Sequence, residues 1–249
     1  QDAYRTVAEA CINEFPERLR QYIDRTITKR CVMTIPYNAK PWSNRSYIKE
    51  AFAKKGIKDL TTDELNQCVK AVRDGVKQVA PSALKVMDWI GKEMGAAIKR
   101  GDTYIKWCSP SGFVVYQKRD KFTMQRLDLK LLGRCQFSIL GADKGPDINK
   151  HKASGSPNLI HSLDASLIHI AGLRFHAPLS VIHDSVLCRA TDMSTLSSIV
   201  RETYMHIFAE QDYLRSFATQ IGADTTALDD IIIGDLEPSS VIESTYFFC

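Results

Sequence analysis

Four residues at four-residue steps, Arg25, Lys29, Met33 and Tyr37, set two cations, a thioether and a phenol in one register. In an α-helix each such step advances only about 40° past a full turn, so the side chains would form one slanting stripe about 18 Å long. Cations neutralise phosphates, while a thioether and a ring pack against a base or sugar. The stripe therefore suits a ligand with a polyphosphate end and a flat end. The solvated basic face of an ordinary surface helix has the same spacing.

A second candidate is Ile182-His183-Asp184-Ser185-Val186, where an Asp stands at a tight turn between two short apolar runs. An exposed carboxylate on a rigid hairpin suits Mg²⁺, which binds through one or two carboxylates plus substrate phosphates. Asp also favours turns for local hydrogen-bonding reasons. The third is the basic segment 118–152, where Lys and Arg alternate with Phe122, Gln125 and Phe137. Such a segment could follow a phosphate backbone and present side chains to base edges, or be a solvated loop.

The elements that must carry these residues can be read from periodicity. Residues 4–35 read as helix, broken near Pro16 and again at Pro36. TTDELNQCVKAVRDGVKQVA reads as a capped helix with Thr62 or Asp63 at its N-cap. Pro81 opens another, with Leu84, Met87, Ile90, Met94 and Ile98 recurring at three- and four-residue steps up to Gly101. TYIKWC, the turn SPSG and FVVYQK predict a β-hairpin at 103–118, and RLDLKLLGRCQFSIL a second, protruding one. A helix from Ser162 to Phe175, a short hairpin at 179–190 and helix from Ser194 to Ile221 complete an α+β chain.

Composition bounds the rest. The 249 residues are 44% hydrophobic and 25% charged, as in ordinary globular proteins, and no apolar run reaches the length of a membrane span. The opening residues hold acidic side chains and no apolar core, so no signal peptide is expected; the first residue is not Met. Seven scattered cysteines, none in a C-x-x-C pair, argue against a zinc site or disulfide framework and for reduced, mostly buried thiols in a cytosol-like compartment. A net charge of +4 permits a nucleic-acid partner without demanding one.

Taken in order, these segments resemble the single-subunit, phage- and mitochondrial-type DNA-dependent RNA polymerase family over residues 25–249. RTITKRCVMTIPYNAK is similar to its fingers-helix motif, and WCSPSGFVVYQ to its palm hairpin, a Trp-x-x-Pro-x-Gly-Phe pattern. RLDLKLLGRCQF resembles its promoter-reading hairpin, HKASGSPNLIHSLDAS the stretch leading to a His-Ser-x-Asp helix, and VIHDS its second catalytic-aspartate motif. The aromatic end resembles the family's terminal foot, which lies near the active site.

The resemblance implies a right-hand polymerase portion: mainly helical fingers at 1–101, and palm at 102–249 with a specificity hairpin at 119–150, a catalytic hairpin at 179–190 and the foot. Asp184 would be one of two aspartates holding a pair of Mg²⁺ ions. Lys29 would contact the triphosphate and serve the leaving group, with Arg25 and Met33 alongside. Tyr37 would select ribonucleotides, and His161 and His183 would lie beside the substrate site. Arg126, Asp128, Gln136 and Ser138 occupy promoter-reading positions. Partners would be DNA template, RNA product and ribonucleoside triphosphates, in an infected cell's cytoplasm or an organelle matrix.

Four departures matter. Pro36 should kink the helix before Tyr37, Asn38 stands where the family has Gly, and Leu163 where a polar residue is common. The largest departure concerns the family's first catalytic aspartate, in an Asp-x-x-x-Gly motif well upstream of the fingers lysine. Only 28 residues precede Lys29, and neither Asp2 nor Asp24 has that context. The chain is therefore expected to be inactive alone and to work as a heterodimer, with a second chain, or an N-terminal part, supplying the other carboxylate. One alternative is a family-A-like DNA polymerase fragment, whose helix would carry Asn-Phe-Gly and whose hairpin would read His-Asp-Glu. The other is a non-catalytic nucleic-acid-binding subunit.

Overall fold

The computed structural model describes residues 2–129, 135–183, 185–231, 234, 237–245 and 247, with the backbone alone at 128–129 and 135–136. The chain is α+β and forms two compact units, 1–89 and 90–249, the division falling inside the helix Pro81–Lys99. Among the described residues no helix is long and apolar enough to cross a membrane.

The first unit is helical. α1 (Ala3–Cys11) starts at Asp2, whose carboxylate accepts from the amides of Tyr4 and Arg5. Two 3-10 turns, Ile12–Glu14 and Glu17–Tyr22, then lead to α2 (Arg25–Thr34). The expected helix over 4–35 is thus divided: Pro16 offers no amide donor, and Asp24 starts a new helix by capping Thr26 and Ile27. α3 (Pro41–Lys54), which periodicity did not announce, opens with Pro41 in its first turn, where a missing N–H costs nothing.

α4 (Thr62–Val79) is capped one residue earlier than expected, at Thr61. The Thr61 hydroxyl accepts from the Glu64 amide at 3.2 Å while the Glu64 carboxylate accepts from the Thr61 amide at 2.9 Å. Phe15, Leu19, Ile27, Cys31, Ile48, Phe52, Cys68 and Val72 form the core of this unit. Burial pushes the thiols of Cys11, Cys31 and Cys68 up to about 11, 12 and 12, which leaves them as inert packing groups.

The second unit begins within α5 (Pro81–Lys99) and adds β1 (Ile105–Cys108), β2 (Val114–Gln117), β3 (Asp120–Leu129), β4 (Cys135–Pro146), α6 (Ile148–Arg174), β5 (Ser180–Ile182), β6 (Ser185–Leu187), α7 (Met193–Phe208) and α8 (Tyr213–Ile221). The described strands pair as three separate antiparallel ribbons, β1–β2, β3–β4 and β5–β6. In the first, Gly112 takes the positive φ of +79° that the SPSG turn needs. Trp107 is buried there, its indole N–H donating to Ser162 at 3.3 Å and its ring meeting Phe217 edge-on at 5.5 Å.

α6 begins fourteen residues before the expected start at Ser162. HKASGSPN reads as a loop from its Gly, Ser and Pro content, and tertiary packing overrides that composition. Asp147 caps the helix by accepting from Lys150, and the helix runs on through Pro157. Gly155 gives α5 room: a Cβ there would lie 2.9 Å from Met94 Sδ and 3.1 Å from Ile90 Cγ2.

Candidate functional site

α2 divides its side chains by chemistry. Ile27, Thr28 and Cys31 face the core of the first unit, and the Thr28 hydroxyl donates to the Tyr4 carbonyl at 2.7 Å. Arg25, Lys29 and Met33 take the opposite, exposed side, with Met33 44% exposed. Arg25 is braced, its Nε 2.6 Å from Asp2 and its guanidinium 5.0 Å over the Tyr4 ring. The Lys29 side chain, one turn on, forms no ion pair or hydrogen bond among the described residues. The start of the helix is fixed by Asp24, which Lys55 meets at 2.6 Å; burial alone would raise that carboxyl, but Lys55 and the capped amides hold it below the usual range.

Tyr37 does not continue the stripe as a helical residue. α2 stops at Thr34, and residues 35–38 form a turn in which the Tyr37 amide reaches back three residues to the Thr34 carbonyl at 3.1 Å. Pro36 lacks the donor that another helical turn would use. Asn38 takes φ +65°, the left-handed conformation that Gly would adopt without strain and that Asn tolerates. Half-buried Tyr37 is thus held at a helix end by a tight turn.

Sequence reasoning missed what adjoins this turn. Between α3 and α4 lies an open groove of about 430 Å³, lined by Trp42, Arg45, Lys70, Arg73 and Lys77 among others. Trp42 is 78% exposed. A free indole face beside several cations can stack a base and neutralise phosphates, the combination used for single-stranded nucleic acid. The signal was the i, i+3, i+7 spacing of Lys70, Arg73 and Lys77, invisible as a site until α3 is known to lie opposite.

In the second unit the candidates sit on ribbons and on α6. Arg126 pairs with Ser138 across β3–β4, both exposed, and the backbone register sets Asp128 opposite Gln136. The root of this ribbon is anchored by a buried polar group: the Arg119 amide donates to His151 Nε2 at 3.3 Å, Gln117 lies 3.2 Å from His151 Nδ1, and Asn158 donates to Gln117 at 2.7 Å. Burial lowers the His151 pKa and favours the neutral ring that can accept the Arg119 amide. His161 is exposed on α6, beside the Ser162 that accepts from Trp107. His183 follows β5 with φ +55°, as a two-residue hairpin connection requires. Asp184 lies outside the described residues.

The family model described as DNA-dependent RNA polymerase matches residues 1–232. The chain belongs to this family. Among phage RNA polymerases it is similar to the DNA-directed RNA polymerase of Enterobacteria phage T3, at 28% identity over 91% of this chain and 29% of that protein. T7 RNA polymerase of Escherichia phage T7 matches at 27% identity over the same shares. The chloroplastic DNA-directed RNA polymerase 3 of Nicotiana sylvestris matches at 27% identity over 91% of this chain and 24% of its own length. The chain thus spans about 29% of the length of its phage relatives.

Within this member of the RNA polymerase family Phe247 packs on the same cluster as the β5–β6 ribbon. Phe247 and Val186 both lie against the cluster of Ala171, Phe175, Leu196 and Val200. Arg201 stacks over Phe247 at 5.5 Å and donates to the Ser244 carbonyl at 2.6 Å. Tyr246, Phe248 and Cys249 of the expected foot lie outside the described residues.

Proposed function

We propose that this chain supplies the fingers, about 1–101, and the C-terminal palm, about 102–249, of a phage-type RNA polymerase. It would catalyse template-directed nucleotidyl transfer from ribonucleoside triphosphates once a second chain, or an N-terminal part, brings the other catalytic aspartate. The observation that carries this reading is the open face of α2, with braced Arg25, unpaired Lys29 and exposed Met33 leading to the Tyr37 turn. Lys29 would neutralise the triphosphate and return a proton to the departing pyrophosphate, with Arg25 steadying its far end. Met33 and Tyr37 would pack on base and sugar, Tyr37 rejecting sugars without the 2′-hydroxyl. His161 and His183 would border the same substrate, and Arg126, Asp128, Gln136 and Ser138 would read promoter bases.

The residues fit Mg²⁺ in part. No group of three His, Cys, Asp or Glu side chains gathers among the described residues. Asp184 is a single carboxylate at a hairpin connection, and Mg²⁺ accepts one or two carboxylates beside substrate phosphates. Bound there, Mg²⁺ would activate the 3′-hydroxyl and stabilise the leaving group. The deciding experiment is extension of a primed DNA template with Mg²⁺ and ribonucleotides. The purified chain should add none, and the chain combined with the polypeptide bearing the second aspartate should extend. Extension by this chain alone refutes the shared site, and deoxyribonucleotide preference in the complex refutes the RNA polymerase assignment.

A further inference from the structure

The turn that presents Tyr37 is braced by a side chain from another helix. Arg73, half-buried on α4, donates from Nη1 to the Ala39 carbonyl at 3.0 Å and to Asn44 Oδ1 at 2.8 Å. Two concessions surround this contact. Asn38 carries a left-handed backbone on a non-glycine residue. Asn44 is fully buried, yet its Nδ2 has no hydrogen-bond partner among the described residues. Exchanging its oxygen and nitrogen would point an N–H₂ group at a guanidinium, so the oxygen must face Arg73 and the nitrogen stays unsatisfied. A buried orphan donor and a strained backbone persist only where the surroundings impose them, and both meet here at Arg73.

We propose that Arg73 is a positioning residue for sugar selection: it fixes the 35–39 turn and so holds Tyr37 where it can test for a 2′-hydroxyl. This rests on the reading of Tyr37 given above. Without Arg73 the Ala39 carbonyl loses this donor, the turn can relax towards less strained backbone, and the backbone carrying Tyr37 loses one of its braces. A shift of about 1 Å in such a group is enough to weaken its contact with substrate.

The test is the ratio of kcat/KM for ribonucleotide to that for deoxyribonucleotide, measured on one template with the assembled polymerase. Because both nucleotides use the same template, altered nucleic-acid binding in the adjoining groove cancels from the ratio. Tyr37→Phe should lower the ratio, and Arg73→Met should lower it at least fivefold. Arg73→Lys, whose ammonium can serve two acceptors, should stay nearer the parent, and Lys49→Met, an exposed α3 cation outside the groove, should leave the ratio unchanged. If Tyr37→Phe relaxes selection and folded Arg73→Met does not, the positioning role is wrong. If Tyr37→Phe has no effect, the reading of Tyr37 fails and takes this inference with it. Should Arg73→Met not fold, Asn44→Ala, which removes the second acceptor, must lower the ratio or the inference falls.

Discussion

α2 and the β5–β6 ribbon both carry residues assigned to the chemistry, and they are built in opposite ways. α2 satisfies its own backbone, is capped by Asp24, and buries Ile27, Thr28 and Cys31 beneath the exposed Arg25, Lys29 and Met33. The ribbon is two strands of three residues each, with Ile182 63% and Leu187 64% exposed. Among the described ribbon residues only Val186 is tied into the apolar cluster. A two-stranded hairpin is marginal in water without a third strand or a packed face. The helix therefore presents a preformed face, the one proposed to meet substrate, whereas the ribbon leaves large apolar side chains exposed. Relatives more than three times as long as this chain have polypeptide to spare for covering them.

The sharpest test of the contrast is Asp184→Ala. If the ribbon carries the metal carboxylate, the assembled polymerase should lose elongation by a factor on the order of 10³ or more, because losing a metal ligand removes the charge stabilisation of both the attacking and the leaving oxygen. Assembly, read by co-elution of the two polypeptides, should survive. Retention of more than about a tenth of activity would move the chemistry away from the ribbon, since the loss of a metal ligand is not that mild.

Hydrogen exchange probes the same contrast in the backbone. In the chain alone, ribbon amides at 181–187 should exchange at least about a hundredfold faster than those of Thr28–Cys31, since short exposed elements open locally while core helices open with the whole unit. Joining the completing polypeptide should slow the ribbon and leave α2 as it was. Equal protection in the isolated chain would mean that the ribbon needs no outside support.

The two regions were also unequally legible in the sequence. Hairpins announced themselves because period-two alternation and a turn residue are local signals, and His183, a non-glycine residue with positive φ, falls at a turn read that way. The basic stripe was legible up to Met33, but Pro36 ended the helix before Tyr37, so a four-residue pattern became three helical residues and a turn. α3 was not legible, having little separation of polar from apolar sides, and without it neither the Trp42 groove nor the Arg73 contact could be foreseen. α6 was half legible: its first fourteen residues look like loop, and what makes them helical is the fit of Gly155 against Met94 and of His151 against Gln117. Such contacts join residues distant in sequence, which periodicity does not report.

The smallest of these effects bears on what a preformed face is worth. Lys29→Met keeps the helix, since both residues are good helix formers and the position is exposed. It removes one unpaired cation, so the loss should be roughly 10²-fold in kcat/KM for ribonucleotides, as for deletion of a single charge-stabilising group. The partition of that loss decides what Lys29 does. If kcat falls and KM holds, Lys29 acts on the charge that develops on the departing pyrophosphate; if KM alone rises, it only binds the triphosphate. Arg25→Met offers the internal standard, because Arg25 is already engaged by Asp2 and Tyr4 and should cost less. A larger loss at Arg25 than at Lys29 would reverse the order along α2 and place the reacting end of the triphosphate at the helix start.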